Sequence, residues 1–455
     1  MNTKNNDFLG TEPVGKLLFK LAVPTLAAQL INMLYNMVDK IYIGHMPGDG
    51  DLALAGLGVC LPLILIVSSF SALVASGGAP RASIAMGRGE RDQAERIMGS
   101  CFTLLALLAI ALTAVMLLWN RPLLMFFGAS ENIIEYAVDY MNIYAVGTLF
   151  VQLTLGMNAF ITAQGFTRQS MLTVLIGAVL NIILDPIFIF GFDMGVKGAA
   201  LATIISQFVS CVWVLFLLCR KNSFLRIRKT HLKMDRAIVL SCLALGVAPF
   251  IMQSSEGIIC ICFNSSLQKY GGDIAVGAMT VLTSAMMLVM LPMQGIAQGA
   301  QPILSYNFGA MKLDRVKSLF RLLLTVCMAF SLTIWALIML FPRGFVGIFT
   351  PDEELITYTA RAIRIYAAVI GLMGIQIACQ MTFISLGNAK ASAVVAIVRK
   401  YLLLLPLVYI VPLFVEDKAM GVFLAEPVAD FLAVSFTAIL FTFQFKKALA
   451  KAETP

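Results

Sequence analysis

The sequence predicts an all-α integral membrane protein: about twelve transmembrane helices in two pseudo-symmetric six-helix bundles, a parallel repeat with its axis along the membrane normal. Three observations carry this. Of 455 residues, 60% are hydrophobic and 13% charged; a soluble domain has about 25% charged residues, so a soluble fold this apolar could not cover its own surface. The apolar residues form long runs that suit spanning helices of roughly 20 residues, without the alternation of short barrel strands. The chain also repeats itself at an offset of 222 residues.

The elements follow in order. The first 13 residues are polar and include Asn5, Asn6, Asp7 and Glu12. They lack the basic start and short apolar core of a cleavable signal, so the first span, centred near Leu30, acts as an uncleaved insertion signal. It closes on Asp39. Spans near Leu65, Leu108 and Val146 follow. The fifth, near Val179, carries Asp185 inside "NIILDPIFIF", and the sixth lies near Val209. The second half repeats the series near Met252, Leu288, Phe330, Val369, Leu405 and Ala433. The expected organisation is a first lobe at 1–219, a basic linker at 220–236, a second lobe at 237–447 and a tail at 448–455. Pro24, Pro62, Pro186, Pro249, Pro292, Pro302, Pro406 and Pro412 fall in or near spans. Each proline removes a backbone donor and permits bending, and as a set they favour helices that move.

The repeat aligns "GGAPRASIAMGRGERDQ" (77–93) with "GAQPILSYNFGAMKLDR" (299–315), pairing Pro80 with Pro302, Gly87 with Gly309 and Asp92 with Asp314. Further along, Tyr144, Gly165 and Ser170 meet Tyr366, Gly387 and Ser392. Leucine-rich sequence does not match at such residues by chance. Six spans per half give both halves the same topology, an arrangement of transporters with the path between the halves.

Orientation follows lysine and arginine in short loops. Of the 33 present, 25 fall on the side of the termini, among them Arg81, Arg88, Arg91, Arg96, the cluster at 220–236 and Arg399 and Lys400, leaving 8 opposite. The opposite loops hold the acidic "PGDGD", "PDEE" and "VEDK". Both termini are expected in the cytoplasm, in a multi-pass protein of the bacterial cytoplasmic membrane. The net charge of +8 is then a topology anchor facing anionic lipid rather than a nucleic-acid site.

Carboxylates inside the spans are costly, about 2.5–3.5 kcal/mol for a central Asp on the insertion scale. Asp39 and Asp185 both fall in the outer half of the first lobe. Two carboxylates close together cannot both hold charge cheaply, so the pair is expected to take up a proton or a sodium ion. Asn181, one turn before Asp185, can hold the carboxylate or ligate the ion. Two other readings stay open: Asp39 as an interfacial ion pair with Lys40, and Asp185 before Pro186 as a helix-end feature. Glu256 and Gln253 in the seventh span are candidates for a second or substrate site, although Glu256 could simply pair with Gln253, Ser254 and Ser255. Glu426 and Asp430 of the twelfth are expected to face polar partners in the second lobe. Met287 and Met290 belong to a methionine stripe in the eighth span; packing explains such stripes, and cavity lining is the sharper reading, with aromatic and Met walls suited to lipophilic cations.

Nine cysteines lie in or beside apolar segments, which reads as packing rather than a disulfide framework. No Walker-type "GxxxxGK[ST]" is present, and the two histidines have no convergent nucleophile. The expectation is no enzyme activity, no cofactor and no metal site beyond an exchangeable Na+ or H+, with an ion gradient as the driver.

The motifs "NMLYNMVDKIYIG", "LNIILDPIFIFGFDMGVKGAALAT" and "FLAEPVADF" resemble those of the multidrug and toxic compound extrusion (MATE) family, in its DinF-like and MepA-like branch, over essentially the whole chain. The resemblance implies two bundles around a cleft that opens alternately to each side, and export of cationic or amphipathic small molecules in exchange for H+ or Na+. Asp39, Asn181, Asp185 and Thr203 match the family's cation-site motif, with Tyr140 a further member. Glu256 resembles the first acid of the second-lobe pair in the NorM-like branch, but the tenth span has no acid to match the second, which favours the first lobe. The expected partners are lipophilic cations and membrane lipids, with no nucleic acid and a monomeric carrier. Two alternatives remain. One is a flippase for lipid-linked saccharides, whose anionic substrates would want arginine in the cleft; apart from Arg361 and Arg364, near the outer end of the tenth span, no mid-span cation is expected. The other is a non-transporting scaffold.

Overall fold

The structure, a computed structural model, describes residues 8–46, 50–220 and 223–453. Residues 47–49 of the acidic loop, Lys4 and Lys221 of the charge count, and the end of the tail lie outside the described residues. Six spans build the first half: α1 (Val14–Gly44), α2 (Gly50–Gly87), α3 (Arg91–Phe126), α4 (Ile134–Ala163), α5 (Thr167–Pro186, prolonged by a π-helical turn at Ile187–Gly191) and α6 (Val196–Cys219).

The second half begins with a continuous helical stretch of 74 residues, Arg236–Gly309. At 1.5 Å per residue a straight helix of that length would run on the order of 110 Å, several times the hydrocarbon thickness of about 30 Å. It breaks at Gly272, where φ is 64° and ψ is −159°, a region that only glycine adopts cheaply. The break separates α7 (236–271) from α8 (273–309), and they are the two spans expected near Met252 and Leu288. Next come α9 (Leu313–Leu340), a bent α10 (Glu353–Tyr366 joined to Met373–Ser385), α11 (Ala389–Leu413) and α12 (Lys418–Glu453). The tenth span is not the straight helix that hydropathy suggests. It turns by 45° around the expected centre at Val369.

The repeat is visible in detail. Gly165 and Gly387 both take positive φ, 82° and 73°, and end α4 and α10 with the same turn. Beside them Asn158 donates to the Ser170 carbonyl and Gln380 to the Ser392 carbonyl, each at 3.3 Å. These two amides are also 222 residues apart.

Packing divides into three main regions. One apolar core lies wholly within α1–α6, around Leu57, Tyr140 and Ala199. A second lies within α7–α12, around Phe263, Leu282 and Phe423. A third joins the halves at the end that carries the basic loops, and draws on Leu21, Met98, Leu218, Cys242, Ile303 and Leu313. There the backbones of α2 and α7–α8 meet through glycine in a reciprocal pattern. A Cβ on Gly87 would come within 2.1 Å of the Tyr306 carbonyl, and one on its repeat mate Gly309 within 2.0 Å of the Ile84 carbonyl. Gly246 and Gly77 are as tight against Leu73 and Cys242. Thr25 of α1 donates to the Gly295 carbonyl of α8 at 2.6 Å.

The linker is more than a basic strip facing lipid. Buried Glu95 of α3 accepts from Arg228 at 2.7 Å, from Arg91 at 3.3 Å and from the Arg226 backbone at 3.3 Å. Thr103 also donates to the Leu232 carbonyl at 2.7 Å. Part of the linker's charge is therefore consumed in fastening it to the first half.

Candidate functional site

α1 and α5 bring Asp39 and Asp185 together. Their carboxyl groups are within hydrogen-bonding reach of each other. Both residues are buried, Asp185 completely and Asp39 with 9% exposure. The local sequence explains the placement. Pro186 lacks the N–H that would bond one turn back, and the helix widens into a π turn directly after it, a distortion often found at functional sites. Asn181 donates to Asp185 Oδ1 at 3.1 Å and to Thr203 Oγ1 of α6 at 3.4 Å. Tyr140 of α4 hydrogen-bonds to Thr203 and stacks on Tyr144 at 6.2 Å. All five residues expected at a cation site thus form one cluster. Asp39 Oδ1, Asp185 Oδ2 and Asn181 Oδ1 have no hydrogen-bond partner. Lys40, next in sequence to Asp39, contributes its charge from an exposed position, but no ion pair within 4 Å joins either acid among the described residues. The donor set is entirely oxygen, which suits a proton or a hard monovalent cation.

One member escaped the sequence reading. Tyr35, one turn before Asp39, lies close enough to feel both acids. Its spacing of four from Asp39 places it on the same helical face, a signal that was available. Tyr35, Asn181 and Thr203 also line the large cavity between the halves, so the acids sit just behind a wall that they share with it. That cavity has a volume of about 690 Å³, within the range of small-molecule sites.

The second-half candidates fare differently. Gln253, Glu256 and Met290 line the cavity. Met287 does not line it and is 55% exposed. Glu256 does not rely on its polar neighbours. It accepts an ion pair from Lys400 Nζ at 2.7 Å. Arg399 pairs with Asp430 at 2.9 Å and lies 3.9 Å from Glu426. Arg399 and Lys400 are therefore buried inside α11 and do not belong with the loop charges. They occupy a π-helical stretch, Val398–Leu404, ten residues or more beyond the Asn388 cap. The expectation that no cation lies mid-span is corrected by the same finding. The cavity wall also departs from the aromatic lining foreseen: Tyr35 is its one aromatic residue among those described, with Met252, Met290, Met373 and Met381.

Two duplicated six-helix halves, a cavity between them and acids buried beside it define a membrane transporter architecture. The comparisons with known proteins place it. The family model described as MatE matches the chain twice, over residues 24–187 and 247–410, one segment in each half. The chain belongs to this family of multidrug efflux transporters. It is 23% identical over 420 residues to the "Multidrug export protein MepA" of Staphylococcus haemolyticus, with 92% of each chain covered. It is 24% identical over 441 residues to a protein named "FAD transporter" in Shewanella oneidensis, with 94% of each covered. Among solved structures, a MATE in the bent conformation superposes with a TM-score of 0.92 at 22% identity over 99% of both chains.

Proposed function

We propose that the protein exports amphipathic small molecules, cationic ones included, from the cytoplasm in exchange for H+ or Na+. The basic loops and both termini face the cytoplasm of a bacterial cell, and the carrier works as a monomer. The buried Asp39–Asp185 pair is the observation that carries this reading. Two carboxylates in contact within a poorly polarisable interior repel strongly, and a proton or sodium ion bound between them relieves that repulsion. Asn181, Thr203 and Tyr35 then readjust, and because they line the cavity the readjustment reaches the substrate. Coupling requires that the ion prefer one of the carrier's two states. The gradient supplies about 2.3 kcal/mol per charge per 100 mV. The halves part and close at the glycine contacts of the basic end, which are closed in this structure.

The test is export in membrane vesicles under an imposed pH or sodium gradient. Asp39→Asn should abolish gradient-driven export while leaving the purified protein folded. Export by that variant at the wild-type rate would reject the scheme.

A second reading takes an anionic substrate, a lipid-linked saccharide or a nucleotide such as the FAD named for the Shewanella relative. Arg399 in the cavity lining favours it. Asp430 and Glu426 already hold that guanidinium, so a free anion would have to compete with two tethered carboxylates, and the first reading stands ahead.

A further inference from the structure

The end of the second half opposite the basic loops carries a groove that export does not use. The first part of α10 lays Thr357, Arg361 and Arg364 along one side of it, at the i, i+4, i+7 spacing of a single helical face. Pro342 and Arg343, just past the end of α9, form the other side, and the groove has a volume of about 460 Å³. All three arginines are exposed. The internal repeat shows how far this groove departs from its twin. At the offset of 222 residues Arg343 matches Arg121, whereas Thr357, Arg361 and Arg364 match Glu135, Asp139 and Asn142. In the first half these groups are answered within the protein. Arg121 pairs with Glu135 at 2.6 Å and Glu131 at 3.5 Å, Asp139 pairs with Lys197 at 3.3 Å, and Asn142 accepts from Asn120 at 2.8 Å. In the second half Arg343 pairs with Glu353 at 2.7 Å and Arg361 with Asp417 at 3.5 Å. Arg364 has no ion pair within 4 Å among the described residues. Two carboxylates thus answer three guanidinium groups, and each pair engages one nitrogen of a fork that carries five donors.

Neighbouring residues set the depth of the groove. Trp335 of α9 donates its indole N–H to the Ala368 carbonyl at 2.9 Å, and tryptophan settles at headgroup level in a membrane. Arg364 lies one turn beyond Ala368 towards the end of the span, roughly 6 Å along the helix. Leu340 and Phe341, directly before Pro342, are exposed, so apolar surface adjoins the basic one. An amphiphile fits both, with its acyl chain against Leu340 and Phe341 and its phosphate on the arginine forks, which pair with phosphate in bidentate fashion. The excess positive charge disfavours a headgroup that carries its own ammonium. Basic pockets between spanning helices are a known form of anionic-lipid recognition. We propose that this groove binds the phosphodiester of an anionic lipid, which on the orientation proposed above belongs to the outer leaflet.

The full-length protein is placed in vesicles of equal parts phosphatidylglycerol and phosphatidylcholine. A trace of either lipid carries a diazirine beside its phosphate, and crosslinked peptides are mapped by mass spectrometry. The phosphatidylglycerol probe should label wild-type peptides within 341–366 at least fivefold more than the phosphatidylcholine probe does. Arg364→Gln should lower that labelling about fivefold, the share of one arginine at an anionic surface, and adding Arg361→Gln should lower it further. Labelling of the basic linker at 220–236, at the other end of the molecule, should stay the same in both variants. Equal labelling of 341–366 by the two probes, or undiminished labelling in Arg364→Gln, would overturn the site. The wild-type comparison needs no substitution, so a variant that fails to fold does not remove the test. Inorganic phosphate added to the vesicles should not compete; if it abolishes the labelling, a soluble anion occupies the groove and the lipid assignment falls. None of these readouts measures transport, so the export reading is tested separately.

Discussion

Replacing Gly309 by alanine should force the two halves apart at the basic end. Its Cβ would lie 2.0 Å from the Ile84 carbonyl oxygen, where real Cβ atoms essentially never come within 3.0 Å, so about 1 Å must be found. The obstructing atom is backbone, and no side chain can rotate away. Forced overpacking of this kind costs roughly 1–3 kcal/mol, and because the open state does not bear it, the open fraction rises about 5- to 150-fold. The protein carries its own reporter. Cys101 of α3 and Cys242 of α7 touch across the same interface and are buried, at 1% and 0% exposure. N-ethylmaleimide reaches them only when the halves part, so their labelling rate, read by mass spectrometry, follows the open fraction. Cys60, equally buried but in the core of the first half, is the internal control. Gly309→Ala should label at Cys242 5- to 150-fold faster than wild type while Cys60 is unchanged, and Gly87→Ala should behave alike. Wild-type labelling at Cys242 in both variants would refute the idea that glycine contacts hold this end shut.

Three other outcomes are expected. Asn181→Ala removes the donor that holds Asp185 at 3.1 Å, and should raise the ion concentration for half-maximal export about tenfold, measured by titrating sodium or pH across vesicles; an unchanged midpoint would remove Asn181 from the site. Arg399→Ala strands Asp430 and Glu426 and should destabilise the protein by about 3–5 kcal/mol, seen as a lowered unfolding temperature in detergent; an unaltered transition would mean that the pairs contribute nothing. Glu95→Gln breaks charge-assisted bonds to Arg91 and Arg228, each about 1.5–3 kcal/mol, and limited trypsin digestion should cut the linker at least tenfold faster; equal cutting would show that the linker is held elsewhere.

Much of this was legible in the sequence because membranes impose simple rules. Hydropathy located the spans, since long apolar runs cross a membrane only as helices whose backbone groups bond internally. The first-half cluster of polar residues was legible because Asn181 and Asp185 lie one turn apart and because an acid in hydrocarbon is rare. Three features resisted. Hydropathy does not sense direction, so the 45° turn in α10 left no trace. Whether a methionine points in or out depends on rotation about the helix axis, which is why Met287 and Met290 part company. Arg399 and Lys400 were placed with loop charges because a basic pair close to Asn388 and Lys390 looks like a helix end; their partners Glu256 and Asp430 lie 144 and 31 residues away in sequence, and only the folded bundle brings them into reach. Counting from the Asn388 cap would have helped, since eleven helical residues rise on the order of 16 Å, about half the bilayer.

Lys400 is an ammonium on a leash. It can neutralise Glu256, but it can never be picked up on one side of a membrane and dropped on the other. At the repeat offset the counterpart of Asp185 is Leu407, so the twin of the acidic pocket has been filled in. One half thus keeps a resident charge while the other waits for a visitor. On the proposed reading the driving force tugs at a single arm of a two-armed rocker, and the other arm follows because it is bolted to the first.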